Sequence, residues 1–302
     1  MKFSLNLVKQ YVDLKDVSMN EFCQKLSLAG FEVEGLTPLA QATNLIIGEI
    51  ISCENHPNSD HLHVCKVDIK KAILQIVCGA PNVKNHQKVI VAQVGAHLPA
   101  KDLIIKEGMI RDVLSQGMIC SLLELGVSEQ NLTEEQKNGI EVLDKDAPVG
   151  ETEVLKYLGL DDILVEMNVT PNRSDVFALH ALMIEIGAIL NKKVNLPSIE
   201  DSFCAENPFV CESQTEKCPY FSIRSVQAVT VKPSPKWMQE ILTKHDVKVI
   251  NNVIDIGNYV TLMTGQPLHM YDADKLKTKH YIIKDGQERQ VLALDGKEYA
   301  IE

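Results

Sequence analysis

The sequence predicts an α+β fold in which a helical opening gives way to a small strand-rich unit and then to mixed helices and strands. Three observations predict it. Apolar residues recur at helical spacing after residue 18 and again after residue 175. Between about residue 40 and residue 150 the chain breaks into short β-branched runs divided by Gly, Pro and Asn. From near Tyr220, helical and strand patterns alternate once more.

The elements follow in order. Ser18-Met19-Asn20-Glu21 has the spacing of a capping box, in which two side chains satisfy free amides at a helix start. Phe22, Leu26 and Ala29 continue that helix, and Gly30 supplies a left-handed stop. Strands are expected over Leu45–Cys53, Leu62–Asp68, Ile73–Cys78, Val89–Val94 and Gly139–Leu143, which suggests a small barrel or sandwich. Ala147-Pro148-Val149-Gly150 closes that unit. Asp161–Val169 reads as a strand. Thr170-Pro171-Asn172-Arg173-Ser174-Asp175 then leads into a helix, with Ser174 as N-cap and Val176, Leu179, Met183, Ile186 and Leu190 as its apolar stripe. Residues 197–219 are polar and carry Pro197, Pro208 and Pro219, so they read as a linker or edge loop. The last unit still makes strands at Tyr281–Lys284 and Gln290–Leu294, and the end at Glu302 reads as a cut through a domain.

Composition excludes several classes. A chain of 302 residues with 45% hydrophobic and 24% charged residues is too apolar for disorder and long enough for two or three domains. With 41 acidic against 30 basic residues, the net charge of -11 argues against a purely electrostatic nucleic-acid binder. Aromatic residues at 5% argue against extended base-stacking platforms. No run reaches the roughly 20 apolar residues that span a bilayer, and Lys9 and Asp13 interrupt any signal-peptide core. The eight cysteines form no C-x-x-C pair, so they read as reduced, buried thiols in a cytoplasmic protein.

The densest polar cluster runs from His56 to Cys65. On a strand His61, His63 and Cys65 would share a face and could ligate a metal. A fourth ligand is not evident, since His56 and Asp60 lie in the preceding turn, so a turn capped by Asn58 and Asp60 is favoured and no metal is expected. Gly79 and Gly95 suit barrel corners, and no phosphate-loop motif is present.

In this order and spacing, His56-Pro57-Asn58-Ser59-Asp60, Val77-Cys78-Gly79-Ala80-Pro81-Asn82 and Gly117-Met118-Ile119-Cys120-Ser121 resemble the OB-fold tRNA-binding module appended to several aminoacyl-tRNA synthetases. The flanks narrow the resemblance. Met1 to Val12, Leu28 to Gly35, Val169 to Asp175 and Asn251 to Asp272 are similar to the N-terminal part of the bacterial phenylalanyl-tRNA synthetase β subunit. The likeness runs over essentially the whole chain and would cover well under half of such a subunit.

That resemblance implies a split α+β cap (residues 1–39 with 152–195), an inserted OB-fold barrel (40–151) and the first part of an α+β editing domain (196–302). It implies tRNA contact through Lys66, Lys84, Lys88, Arg111 and Ser121, although each lysine taken alone reads equally as a solvated surface charge. It implies an α subunit partner in an α2β2 heterotetramer that charges the tRNA for phenylalanine. Aminoacylation belongs to that α subunit, so ATP and magnesium are expected for the whole enzyme and no cofactor for this stretch. The editing domain hydrolyses mischarged tyrosyl-tRNA, which is needed because a pocket for Phe discriminates weakly against an added hydroxyl. His269 matches the editing-site histidine and Asn258 a polar residue beside it. Read by itself, His269 in a Gln-Pro-Leu-His turn would only bond backbone. Gly257 replaces the usual threonine, and His61 and His63 also depart from the pattern, which more often has a basic residue at the first position. The editing glutamate would lie beyond Glu302, which implies that this stretch does not edit alone. The competing classes are a non-enzymatic tRNA-binding module and a structural module for assembly with the α subunit.

Overall fold

A computed structural model of the chain describes residues 1–129, 132–198, 207–286, 289–293 and 296–301. Two compact units emerge: Met1–Ser174 with Met183–Val194, and Asp175–Leu182 with Asn195–Glu302.

In the first unit Ser4 ends one element and starts the next. Strand β1 (Lys2–Ser4) runs into helix α1 (Leu5–Tyr11), and the Ser4 hydroxyl accepts the Leu7 N–H at 3.0 Å as an N-cap. Helix α2 (Met19–Leu28) starts on the Ser18 hydroxyl, which accepts the Glu21 N–H at 3.2 Å. Only this half of the expected box forms, because the Glu21 carboxylate turns forward to Lys25 at 2.8 Å. Phe22 and Leu26 are buried as their spacing requires, and Gly30 takes a φ of 94° to end the turn before strand β2 (Val33–Pro38).

The strand-rich region forms β3 (Leu45–Asn55), β4 (His63–Asp68), β5 (Ile73–Cys78), β6 (Lys88–Gln93), β7 (His97–Leu98), β8 (Leu103–Ile104), β9 (Gly108–Ile110), β10 (Val113–Ser115) and β11 (Gly117–Ile119). A short helix α3 (Glu134–Lys137) and strand β12 (Val142–Leu143) follow. One six-stranded sheet runs β11-β6-β3-β4-β5, with β12 also on β6. The Gln116 N–H reaches the Gln75 carbonyl at 2.8 Å and brings the open side of β11 to β5, so the sheet is a nearly closed barrel compatible with an OB-fold.

β3 makes the closure possible. It pairs with β6 over Leu45–Glu49 and with β4 over Glu49–Asn55, with a bulge after Ile50. At its bend a Cβ on Gly48 would lie 2.6 Å from Val67 Cγ1, so no larger residue fits without displacing β4. One face of β3 and β6 (Ile46, Ile50, Val89, Val91) fills the barrel with Cys65, Val67 and Ile76. The other face (Leu45, Ile47, Ile90, Ala92) packs on Leu98, Leu122, Leu125 and Val154. Burial on both faces explains why these runs are continuously apolar instead of alternating.

After helix α4 (Val154–Tyr157), strand β13 (Ile163–Met167) inserts between β1 and β2 in a three-stranded antiparallel sheet. Segments from before and after the barrel therefore share one sheet. Beside it Arg173 grips Glu185 at 2.9 Å and lies 4.8 Å from the centre of the Phe31 ring. Ser174 is not the N-cap expected of it: it sits in a 3-10 segment (Pro171–Phe177), and helix α5 (Leu179–Leu190) starts later. Every residue of the expected stripe from Val176 to Leu190 is buried.

In the second unit strand β14 (Val210–Ser213) pairs in parallel with β15 (His280–Ile283). Part of the expected polar linker is thus a strand, paired through a backbone ladder that polar side chains do not prevent. Helix α6 (Lys236–Lys244) is followed by α7 (Asn252–Thr264), where Asn251 caps the Val253 and Ile254 amides. Asp255 is fully buried and accepts from the Ser234 hydroxyl and the Ile250 N–H. Strands β16 (Arg289–Leu292) and β17 (Glu298–Ile301) form a last antiparallel pair. Leu294, the end of one expected strand, lies outside the described residues.

Candidate functional site

The His56 turn is braced from below by the β9–β10 hairpin. His56 Nδ1 accepts the Asn58 N–H at 3.1 Å, so the proton sits on Nε2, which donates to the Ile110 carbonyl at 3.0 Å. Asn58 and Arg111 then exchange bonds of 3.2 Å: the amide donates to the Arg111 carbonyl and the guanidinium to the Asn58 carbonyl. His61 lies in the exposed bend ahead of β4, whereas Cys65 is buried inside the barrel. Among the described residues no group of three or more His, Cys, Asp or Glu could hold a metal ion.

The other two motifs meet. The end of β5 and the segment after β11 wall a cleft of about 320 Å³ that exposes Gly79, Met118, Ser121, Glu124 and Lys137. Its far wall stands because Asn82 acts as a surrogate strand: its amide donates to the Ile140 carbonyl at 2.9 Å and accepts the Ile140 N–H at 3.0 Å. A Cβ on Gly139 would overlap that amide.

Ser121 and Glu124 form the reciprocal box that Ser18 and Glu21 leave half made. The Ser121 N–H donates to Glu124 Oε2 at 2.6 Å, and the Glu124 N–H donates to the Ser121 hydroxyl at 3.3 Å. Burial, reinforced by the Glu124 carboxylate, pushes the Cys120 thiol up to about 12. Burial likewise raises Cys65 and Cys78, so all three stay protonated at neutral pH and pack as small apolar groups. All cysteines among the described residues are free thiols; Cys204 lies outside them.

The five expected tRNA-contact residues divide. Lys88 faces Glu49 across the β3–β6 ladder at 3.0 Å, Arg111 braces the His56 turn, and Ser121 is engaged with Glu124. Lys66 and Lys84 are exposed, and among the described residues neither ammonium has an ion pair. Sequence reasoning missed Glu124, although Ser121-x-x-Glu124 carries the same spacing that flagged Ser18-x-x-Glu21.

In the second unit the loop after α7 folds back on the helix. A Cβ on Gly257 would lie 3.0 Å from Met270 Cε and 3.8 Å from Leu268 Cβ. The Thr261 hydroxyl lies 2.9 Å from the Gly257 carbonyl and 3.2 Å from that of Gln266, tying loop to helix. His269 is exposed and Asn258 half-buried.

Two family models match the chain. The "Putative tRNA binding domain" covers residues 45–152, which is the barrel with its cleft, and the "B3/4 domain" covers residues 217–302. Curated relatives match along nearly the whole of this chain. The phenylalanine–tRNA ligase beta subunit of Streptococcus pneumoniae is 40% identical over 303 residues, covering 99% of this chain and 37% of that protein. Its counterpart in Streptococcus thermophilus is 41% identical over 305 residues, covering 99% and 38%. That of Halalkalibacterium halodurans is 39% identical over 309 residues, covering 100% and 38%. The chain thus spans less than two-fifths of the length of these relatives, and over that span it belongs to the phenylalanine–tRNA ligase β subunit family.

Proposed function

We propose that the chain contributes tRNA binding to a phenylalanine–tRNA ligase, through its barrel (residues 40–151) held in a split cap (1–39 with 152–195). One observation carries this reading: two motifs far apart in sequence converge on a single cleft inside the region that matches the tRNA-binding family model. The three-stranded sheet formed by β1, β13 and β2 supports the split cap. The partners are the α subunit, in an α2β2 assembly, and the tRNA for phenylalanine, in the cytoplasm. ATP and magnesium serve aminoacylation, which lies with the α subunit; no side-chain group among the described residues suits a metal, and no step here runs through either.

Residues 196–302 contribute part of an editing domain that hydrolyses mischarged tyrosyl-tRNA. His269 orients or activates the attacking water, since its exposed imidazole offers one ring nitrogen that donates and one that accepts, and Asn258 supplies a polar contact beside it. In the assembled synthetase, His269→Ala is expected to slow deacylation of tyrosyl-tRNA by roughly 100-fold while leaving phenylalanylation unchanged. Equal deacylation by variant and parent would remove His269 from the site.

The barrel's composition keeps an assembly role in view, because residues 40–151 hold ten Lys and Arg against fifteen Asp and Glu. Salt dependence separates the two. Titrating the chain with the phenylalanine tRNA is expected to give an affinity that falls steeply with salt, as phosphate contacts release counterions. No binding at low salt would favour assembly alone.

A further inference from the structure

We infer that the barrel cleft receives a single unstacked nucleobase and reads its amino group through Glu124. This rests on the tRNA reading above and adds what the cleft selects. The carboxylate is fixed in place: Oε2 accepts both the Ser121 N–H at 2.6 Å and the Ser121 hydroxyl at 2.9 Å. Among the described residues Oε1 accepts no hydrogen bond, so one charged acceptor remains available where Glu124 lines the cleft.

An ionised carboxylate accepts and never donates. The group it meets must therefore bring N–H or O–H; the ribose 2′-hydroxyl is common to all four nucleotides, so discrimination among them falls to N–H. Within RNA that excludes the phosphate, which the same charge repels. Lys137 does not reverse this, because its ammonium is held by Glu134 at 2.7 Å. Cytosine, adenine and guanine each present an exocyclic amino group, and a carboxylate is a fitting acceptor for it. Uracil offers one N–H flanked by two carbonyls that would face the carboxylate. The cleft contains no aromatic ring, so the base edge, met by Glu124, decides recognition more than stacking does; the Met118 side chain and Ile140 supply a soft apolar wall for the ring.

The test uses the whole chain with fluorescent hexacytidylate, hexauridylate and the phenylalanine tRNA, read by anisotropy at low salt. Hexacytidylate is expected to bind about tenfold more tightly than hexauridylate, the value of one charge-assisted hydrogen bond. Glu124→Gln, which can still accept from Ser121, is expected to bring that ratio to within about twofold. Its thermal midpoint is measured alongside, because Glu124 also closes the turn. The ratio in the unmodified chain decides the matter even if the variant fails to fold. A ratio near one with tRNA still bound overturns base reading and leaves the tRNA reading standing. Failure to bind any RNA, tRNA included, overturns both.

Discussion

Asp162→Ala is expected to cost about 3 kcal/mol of stability, because it strips a buried hub of its acceptors. Asp162 is 2% exposed. Its Oδ2 accepts the Ser4 hydroxyl at 2.5 Å, and its Oδ1 accepts the amides of Asn6 at 2.9 Å and Ile163 at 2.8 Å. These bonds fasten the first strand and helix to the start of β13, more than 150 residues further along the chain. Alanine leaves those donors without their partner, away from water. Asparagine keeps one carbonyl acceptor and is expected to cost roughly half as much. Urea unfolding followed by far-UV circular dichroism checks this. A lower midpoint at unchanged slope is the expected outcome. A change below about 0.5 kcal/mol, typical of a surface substitution, would mean that the cap does not depend on this hub.

The second large effect concerns the two exposed lysines. Lys66→Glu with Lys84→Glu is expected to weaken tRNA binding at least tenfold and to lower the salt slope by about 2, one for each phosphate that is no longer neutralised. Lys88→Ala is expected to act differently. It breaks the Glu49 pair at 3.0 Å and leaves that carboxylate facing the ladder, so stability falls while the salt slope stays near its parent value. Double-logarithmic plots of affinity against salt for the two variants read the distinction. Equal slopes for the parent and the double variant would show that Lys66 and Lys84 touch no phosphate.

Local patterning made much of the first unit legible. Ile73–Cys78 is a strand over the expected residues, and the stripe from Val176 to Leu190 is buried throughout. β14 was not legible, because Val210-Cys211-Glu212-Ser213 is stabilised by a ladder to His280–Ile283, some seventy residues away, and not by an apolar face of its own. The short pairs β7–β8 and β9–β10 were hidden for a related reason: two or three residues are too few to show a period. At the site, residue types were legible and their engagement was not. Nothing near Arg111 in sequence reveals that Asn58 receives its guanidinium, and nothing near Asn82 reveals that Ile140 pairs with its amide. Glu124 could have been found from its spacing to Ser121, the one local signal at the cleft that chemistry also requires.

Hydrogen exchange of the whole chain, with and without the phenylalanine tRNA, tests the central claim most directly. If tRNA engages the barrel at the cleft, amides in residues 62–66, 77–84 and 117–124 slow on binding, while those of the β1–β13–β2 sheet keep their rates. A footprint that spares all three barrel segments, or no footprint at a tRNA concentration that saturates the assembled synthetase, would contradict it.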